Sequence, residues 1–138
     1  MDIRLLDTDI LSELLKAKNE PVAQRAETYF RHFGRFTFSA VTWYEIVRGL
    51  RAVGATTKLS GFEDFAVRSN VLPVSTAVLN IAADLWGAAR GRRHPTYDAD
   101  LLIAATALEH RAVLVTGNVE HFAWIPGLIV EDWRRTAT

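Results

Sequence analysis

Apolar and polar positions follow one another along this chain in blocks that read as short strands and amphipathic helices. Ile3-Arg4-Leu5-Leu6 is a brief apolar run ending at Asp7, the pattern of a buried strand. Beyond it Ile10, Leu11, Leu14 and Leu15 fall at helical spacing, with Asp7 or Thr8 placed to cap the helix. Glu20-Pro21 opens a second helix, because proline suits a first turn, and Val22, Ala26, Tyr29 and Phe30 mark its apolar face. Phe36-Thr37-Phe38 predicts a strand, and Ser39 or Thr42 caps a helix running to about Ala52. Thr57 to Arg68 is a further amphipathic segment. Val71-Leu72-Pro73-Val74 predicts an edge or terminal strand, since proline cannot donate to a ladder. Ser75 caps a long helix through Val78, Ile81, Ala82 and Leu85, and Gly91 to Pro95 reads as a loop. Asp98 or Asp100 starts a helix over Leu101 to His110. Ala112 to Val115 is the clearest strand, and Leu128-Ile129-Val130 predicts a last one before Trp133.

Strands alternating with helices predict an α/β fold, a three-layer sandwich with a short, mainly parallel central sheet flanked by helices. The 138 residues fit a single domain, with no repeat or linker to divide them. In such a sheet, groups that follow the carboxyl ends of the strands line a common crevice. Asp7 ends the first predicted strand, and Thr116 and Asn118 follow the strand Ala112 to Val115. Glu45 lies early in the helix after the second strand, and Asp100 opens the helix LLIAATAL.

Each acid also has an ordinary explanation. An Asp at a strand–helix junction is commonly an N-cap, which would account for Asp7 or Asp100 alone. Glu45 sits among Val41, Trp43, Tyr44, Ile46 and Val47, where a carboxylate must face solvent, find a partner or bind a metal. Taken together, the acids suggest oxygen ligands for a hard cation such as Mg²⁺, which takes carboxylates and shares its shell with water and phosphate. The chain has no cysteine, which excludes disulfides, thiolate zinc sites and cysteine nucleophiles. His32, His94, His110 and His121 lack zinc-ligand spacing and read as surface residues. Sixteen basic and sixteen acidic residues cancel, so the chain lacks the basic excess of a non-specific nucleic-acid binder.

The motifs resemble those of PIN-domain ribonucleases, and of the VapC-type toxins among them. LLDTDILSELL is similar to the opening PIN motif, and SAVTWYEIVRGL to the second, which carries its acid inside the helix. DADLLIAATALEHRAVLVTGNVEHF resembles the third and fourth motifs together, and IPGLIVEDW the end of VapC-type toxins. The resemblance implies hydrolysis of RNA phosphodiester bonds at one or two Mg²⁺ ions, with Mn²⁺ able to substitute. Carried over by position, it implies Asp7 and Asp100 as main metal ligands, Glu45 completing the acidic cluster, and Asn118 where a fourth acid often stands. Thr116 and Asp9 would support the site. It also implies a VapB-like antitoxin encoded alongside, and a homodimer. Asp9 in place of the more usual Asn, the neutral Asn118, and His121 where an acid often precedes Phe depart from the pattern, and point to a single resting metal.

On this expectation an activated water attacks the phosphorus in line and expels the 3′ oxygen, with Glu45 orienting the water or taking its proton. Arg92 and Arg93, just before Asp98, and Arg48, near Glu45, are candidate RNA contacts, with a solvated loop or helix face as the alternative. Trp43, Phe62, Phe65 and Trp86 are large apolar groups available to a dimer surface or to the core. Two other readings stand beside this one. Asp7-Thr8-Asp9 after a strand resembles the nucleophile motif of haloacid-dehalogenase-type phosphatases, although Leu11 and the absence of any late lysine fit it badly. A non-catalytic PIN-like module would dock RNA or protein without cleaving it. The short apolar run at the N-terminus is neither signal peptide nor membrane span, which predicts a cytoplasmic protein with no membrane association.

Overall fold

Leu5 and Leu6 sit on opposite faces of the first strand, and each anchors a separate hydrophobic cluster. The computed structural model describes residues 2–92 and 96–135, and within them the elements follow the predicted alternation. They are β1 (Arg4–Leu6), α1 (Thr8–Lys16), α2 (Glu20–Phe33), β2 (Thr37–Ser39), α3 (Ala40–Ala52), α4 (Thr56–Val67), β3 (Asn70–Leu72), α5 (Thr76–Ala89), α6 (Asp98–Glu109), β4 (Val113–Val115), α7 (Val119–Phe122) and β5 (Val130–Glu131). The strands form one sheet in the order β3-β2-β1-β4-β5, and every pair is parallel.

A parallel sheet needs cover on both faces. On one side Leu5 and Leu114 pack with Val78, Leu85, Ile103 and Phe122, burying α5 and α6. On the other, Leu6 and Val115 pack with Ile10, Val22, Phe38, Phe62 and Trp133, burying α1 to α4. The result is the three-layer arrangement that the alternation predicts. The strand at Val71 lies on the sheet edge, where Pro73 removes no ladder bond.

Most helix starts follow the expected chemistry. Asp7, Asn19, Ser39 and Ser75 each accept a backbone N–H at the start of α1, α2, α3 and α5. Ser39, not Thr42, caps α3, while Thr42 is buried beside Thr8. α6 begins at Asp98 with Tyr97 in the cap position and no side-chain cap, so Asp100 is its third residue and remains uncommitted.

Some expectations shift. The last strand is Val130–Glu131 and excludes Leu128, whose N–H closes a turn on Ile125 after Gly127, at φ +79°. α7 buries Phe122 and had no clear periodic signal in so short a segment. Leu15 and Phe30, read as core-facing, are largely exposed. Of the four large apolar groups considered for a dimer surface, Phe62 is core and Trp43 and Phe65 pack against the same cluster. Trp86 is 54% exposed and remains available. Among the described residues no helix is long and apolar enough to cross a membrane.

Candidate active site

β1 and β4 pair residue for residue, Leu6 opposite Val115, so Asp7 and Thr116 leave the sheet side by side at its carboxyl end. The Asp7 N–H reaches Val115 O at 2.8 Å, and the Thr116 N–H reaches Glu131 O at 2.9 Å. β1 is central, and the chain proceeds outward from it on both sides, so this is the crevice where α/β sheets bind ligands.

Asp7 is 5% exposed. Its Oδ1 accepts the Thr8 N–H at 2.8 Å, which is the cap of α1, and its Oδ2 accepts the buried Thr116 hydroxyl at 2.7 Å. Two donors do not offset the lost hydration. Burial, reinforced by the charge of Asp9, pushes the Asp7 carboxyl up from 3.8 to about 7. Asp9 accepts the Gly117 N–H at 2.9 Å and its neighbour Ile10 N–H at 2.7 Å, yet burial still raises its pKa. Burial likewise raises that of Asp100, with Glu45 adding repulsion and His121 opposing it; the His121 Nδ1 lies 3.7 Å from Asp100 Oδ2.

Glu45 enters from α3. The Thr8 hydroxyl donates to its Oε1 at 2.7 Å and lies 3.0 Å from the Thr42 hydroxyl, while Arg48 stands 3.6 Å from Oε2. The residue that caps nothing in α1, Thr8, thereby fixes the carboxylate of a different helix. On the opposite rim the Arg134 Nη2 donates to Gly117 O at 2.6 Å, its Nε pairs with Asp132 at 3.3 Å, and its charge faces Asp9. A Cβ on Gly117 would overlap the Arg134 guanidinium and come within 2.6 Å of Asp9 Oδ2, so any side chain there would displace these two groups.

The donor set is oxygen alone, which suits a hard divalent cation. Among the described residues no group of three His, Asp or Glu side chains is gathered to hold a metal ion by itself. That arrangement still fits Mg²⁺, which is usually bound through one or two carboxylates with water and phosphate completing its shell.

Residues 4–125 match the family model described as PIN domain. The chain belongs to the PIN-domain family. PIN-domain relatives include Ribonuclease VapC1 of Haemophilus influenzae, 29% identical over 136 residues, covering 96% of this chain and 99% of that protein. The tRNA(fMet)-specific endonuclease VapC of Shigella flexneri is 28% identical over 130 residues, covering 94% and 96%. The crystal structure of DNA-bound VapBC from Salmonella typhimurium superposes with a TM-score of 0.83 at 27% identity, covering 96% of this chain and 99% of that one. Family membership removes the haloacid-dehalogenase alternative, and Asp9, its required acid, is committed to the Gly117 turn.

Within this PIN fold the predicted residues separate into groups. Asp7, Asp9, Glu45, Asp100 and Thr116 converge. Asn118 reaches the rim only: its backbone N–H bonds to Thr116 Oγ1 at 3.0 Å, and its exposed side chain lies 3.5 Å from Asp9. Arg48 faces Glu45 and stacks on Tyr44. Arg92 lies away from the acids, over Trp124, and Arg93 falls outside the described residues. Thr8, Gly117, His121 and Arg134 were not singled out as site residues. Thr8 and Gly117 lie inside motifs that could have suggested them, within DTD and TGN, whereas nothing in the sequence marks Arg134.

Proposed function

We propose that this PIN-domain chain is a Mg²⁺-dependent endoribonuclease, with Mn²⁺ able to substitute, and that it is the toxin of a toxin–antitoxin pair. The observation that carries the reading is the convergence of four carboxylates at one sheet end, with arginines beside Glu45 and Asp9 only. Among the described residues no Lys or Arg pairs with Asp7 or Asp100. Such a cluster is stable only when protonated or when it holds a cation. Asp7 and Asp100 are the donors proposed for the ion, with Glu45 at the edge of its shell. When bound, the ion supplies positive charge at the scissile phosphate and a water acidic enough to react near neutral pH.

The chain's own groups do the rest. Thr116 and the Thr8 N–H hold the Asp7 carboxylate in place, so its free lone pairs face the crevice edge of the sheet. Glu45, fixed by the Thr8 hydroxyl, orients the attacking water and accepts its proton. Water oxygen adds to phosphorus as its proton passes to Glu45, the bond to the 3′ oxygen breaks, and that oxygen takes a proton from solvent, so the products are a 3′ hydroxyl and a 5′ phosphate. The likeness to VapC ribonucleases and to a VapBC assembly supports RNA as substrate and a VapB-like protein as partner. A homodimer in the cytoplasm belongs to the same proposal.

The test is cleavage of a total small-RNA pool with Mg²⁺, with Mn²⁺ and with EDTA, beside Asp7→Asn and Asp100→Asn. Discrete products that require metal and vanish in both variants are expected; retained cleavage in both variants would overturn the mechanism. One observation favours a non-catalytic PIN module instead, namely that no three described ligands are pre-gathered. Calorimetry decides between them: a module without chemistry has no site for Mn²⁺, and the nuclease does.

A further inference from the structure

Two arginines border the acidic centre and a third lies beyond it, over Trp124, and they differ in what their charge already does. Arg48 is turned toward Glu45, and Arg134 is paired with Asp132 and Gly117 O. Arg92 forms no ion pair among the described residues; its guanidinium lies 4.5 Å from the centre of the Trp124 ring. Trp124 is itself fixed, with one side packed on the α5–α6 core and its indole N–H donating to His121 O at 3.0 Å. His121 in turn reaches Asp100. A small cleft lined by Thr96, Asp100, His121 and Trp124 connects the acid centre to the indole. The acids are therefore linked, through an imidazole and an indole, to the guanidinium of Arg92, which has no ion-pair partner among the described residues.

Single-stranded RNA is recognised through its base faces, which stack on aromatic rings and on guanidinium planes. A guanidinium lying over an indole offers its other side to an incoming base and keeps its N–H edges for phosphate. We propose that Arg92, backed by Trp124, is the stacking platform for an unpaired nucleobase of the RNA beside the cleaved bond, with His121 lining the path to Asp100. This deepens the ribonuclease reading and rests on it. Arg92 and Trp124 act here as binding residues, outside the carboxylate machinery.

The experiment measures binding of a fluorescein-labelled, unstructured RNA oligonucleotide in EDTA, and its cleavage in Mg²⁺, for the wild type, Arg92→Gln, Arg92→Lys, Trp124→Leu and Trp124→Phe. Base stacking implies a loss of roughly tenfold or more in affinity for Arg92→Gln and Trp124→Leu. Arg92→Lys keeps the charge but not the plane, so it should fall with them, whereas Trp124→Phe keeps a ring and should retain most of the binding. The exposed Arg92 variants report even if Trp124→Leu lowers stability. Oligonucleotides carrying one abasic site at successive positions should weaken the wild type at one position next to the cleaved bond, and Arg92→Gln at none. Unchanged affinity in both Arg92 variants overturns the platform, as does full rescue by lysine, which reduces the role of Arg92 to charge. Weakened binding in these variants with no cleavage by the wild type supports the platform while refuting the ribonuclease reading. Absence of RNA binding by the wild type overturns both.

Discussion

Asp7→Asn should make the metal-free protein more stable, and increasingly so as pH rises. The Asp7 carboxyl stands at about 7 against 3.8 for a free one, with burial as the main cause. A group whose folded pKa is raised binds its proton more tightly in the folded state, so folding gains most at low pH and loses that gain as pH rises toward 7. Integrated, the displacement costs the folded state about 2 kcal/mol at pH 5 and about 4 kcal/mol at pH 8. Asn cannot ionise and carries none of this slope. It can accept the Thr8 N–H through its oxygen, but its NH₂ group then faces a Thr116 hydroxyl oxygen that already accepts the Asn118 N–H. The Thr116 proton loses its acceptor, which costs about 1 kcal/mol at any pH. The net expectation is an advantage for Asp7→Asn of about 1 kcal/mol at pH 5, widening to about 3 kcal/mol at pH 8. Urea denaturation in EDTA at the two pH values measures it directly. A gap that does not widen with pH would refute the assignment of an uncompensated buried carboxylate. Adding Mn²⁺ at pH 8 should then stabilise the wild type and leave the variant unchanged.

Thr116→Val removes the donor to Asp7 Oδ2 and the acceptor of the Asn118 N–H, and should cost about 1 to 3 kcal/mol at pH 8 by thermal or urea unfolding. Gly117→Ala forces the Arg134 guanidinium and the Asp9 carboxylate to move; the flexible arginine yields cheaply, so stability should change by under about 1 kcal/mol while Mn²⁺ affinity measured by calorimetry falls. Glu45→Gln keeps an acceptor for Thr8 but no base, so kcat should drop by about 10² to 10⁴ with an unchanged fold by circular dichroism.

Elements whose signal is local were legible in the sequence. The apolar runs of β1 and β4, the caps at Ser39 and Ser75, and Pro21 in the first turn of α2 depend only on near neighbours. Strand ends then placed Asp7 and Thr116 together, and the apolar neighbourhood of Glu45 left its carboxylate to face solvent, find a partner or bind a metal, of which the structure shows a partner, Thr8. The identity of that partner was not legible, because Thr8 and Glu45 are 37 positions apart and meet only when α1 packs on α3. The same holds for Asp9 with Gly117, separated by 108 positions, and for Arg134, whose role arises from the course of the chain after β5. His121 read correctly as exposed, yet exposure did not reveal its reach to Asp100.

The place of β1 in the sheet sets when the acid cluster can assemble. The earliest strand of this fold in chain order is the central one, and the Asp7–Thr116 bond closes a loop of 109 positions. Parallel pairings of this kind are late events in folding, since the intervening crossover must exist before the contact rewards it. During synthesis Asp7 leaves the ribosome well before β4 and the Thr116–Gly117 turn, so the acids exist in the chain before the strand that gathers them. A chain truncated after α6 would carry Asp7, Asp9, Glu45 and Asp100 without the strand that assembles them.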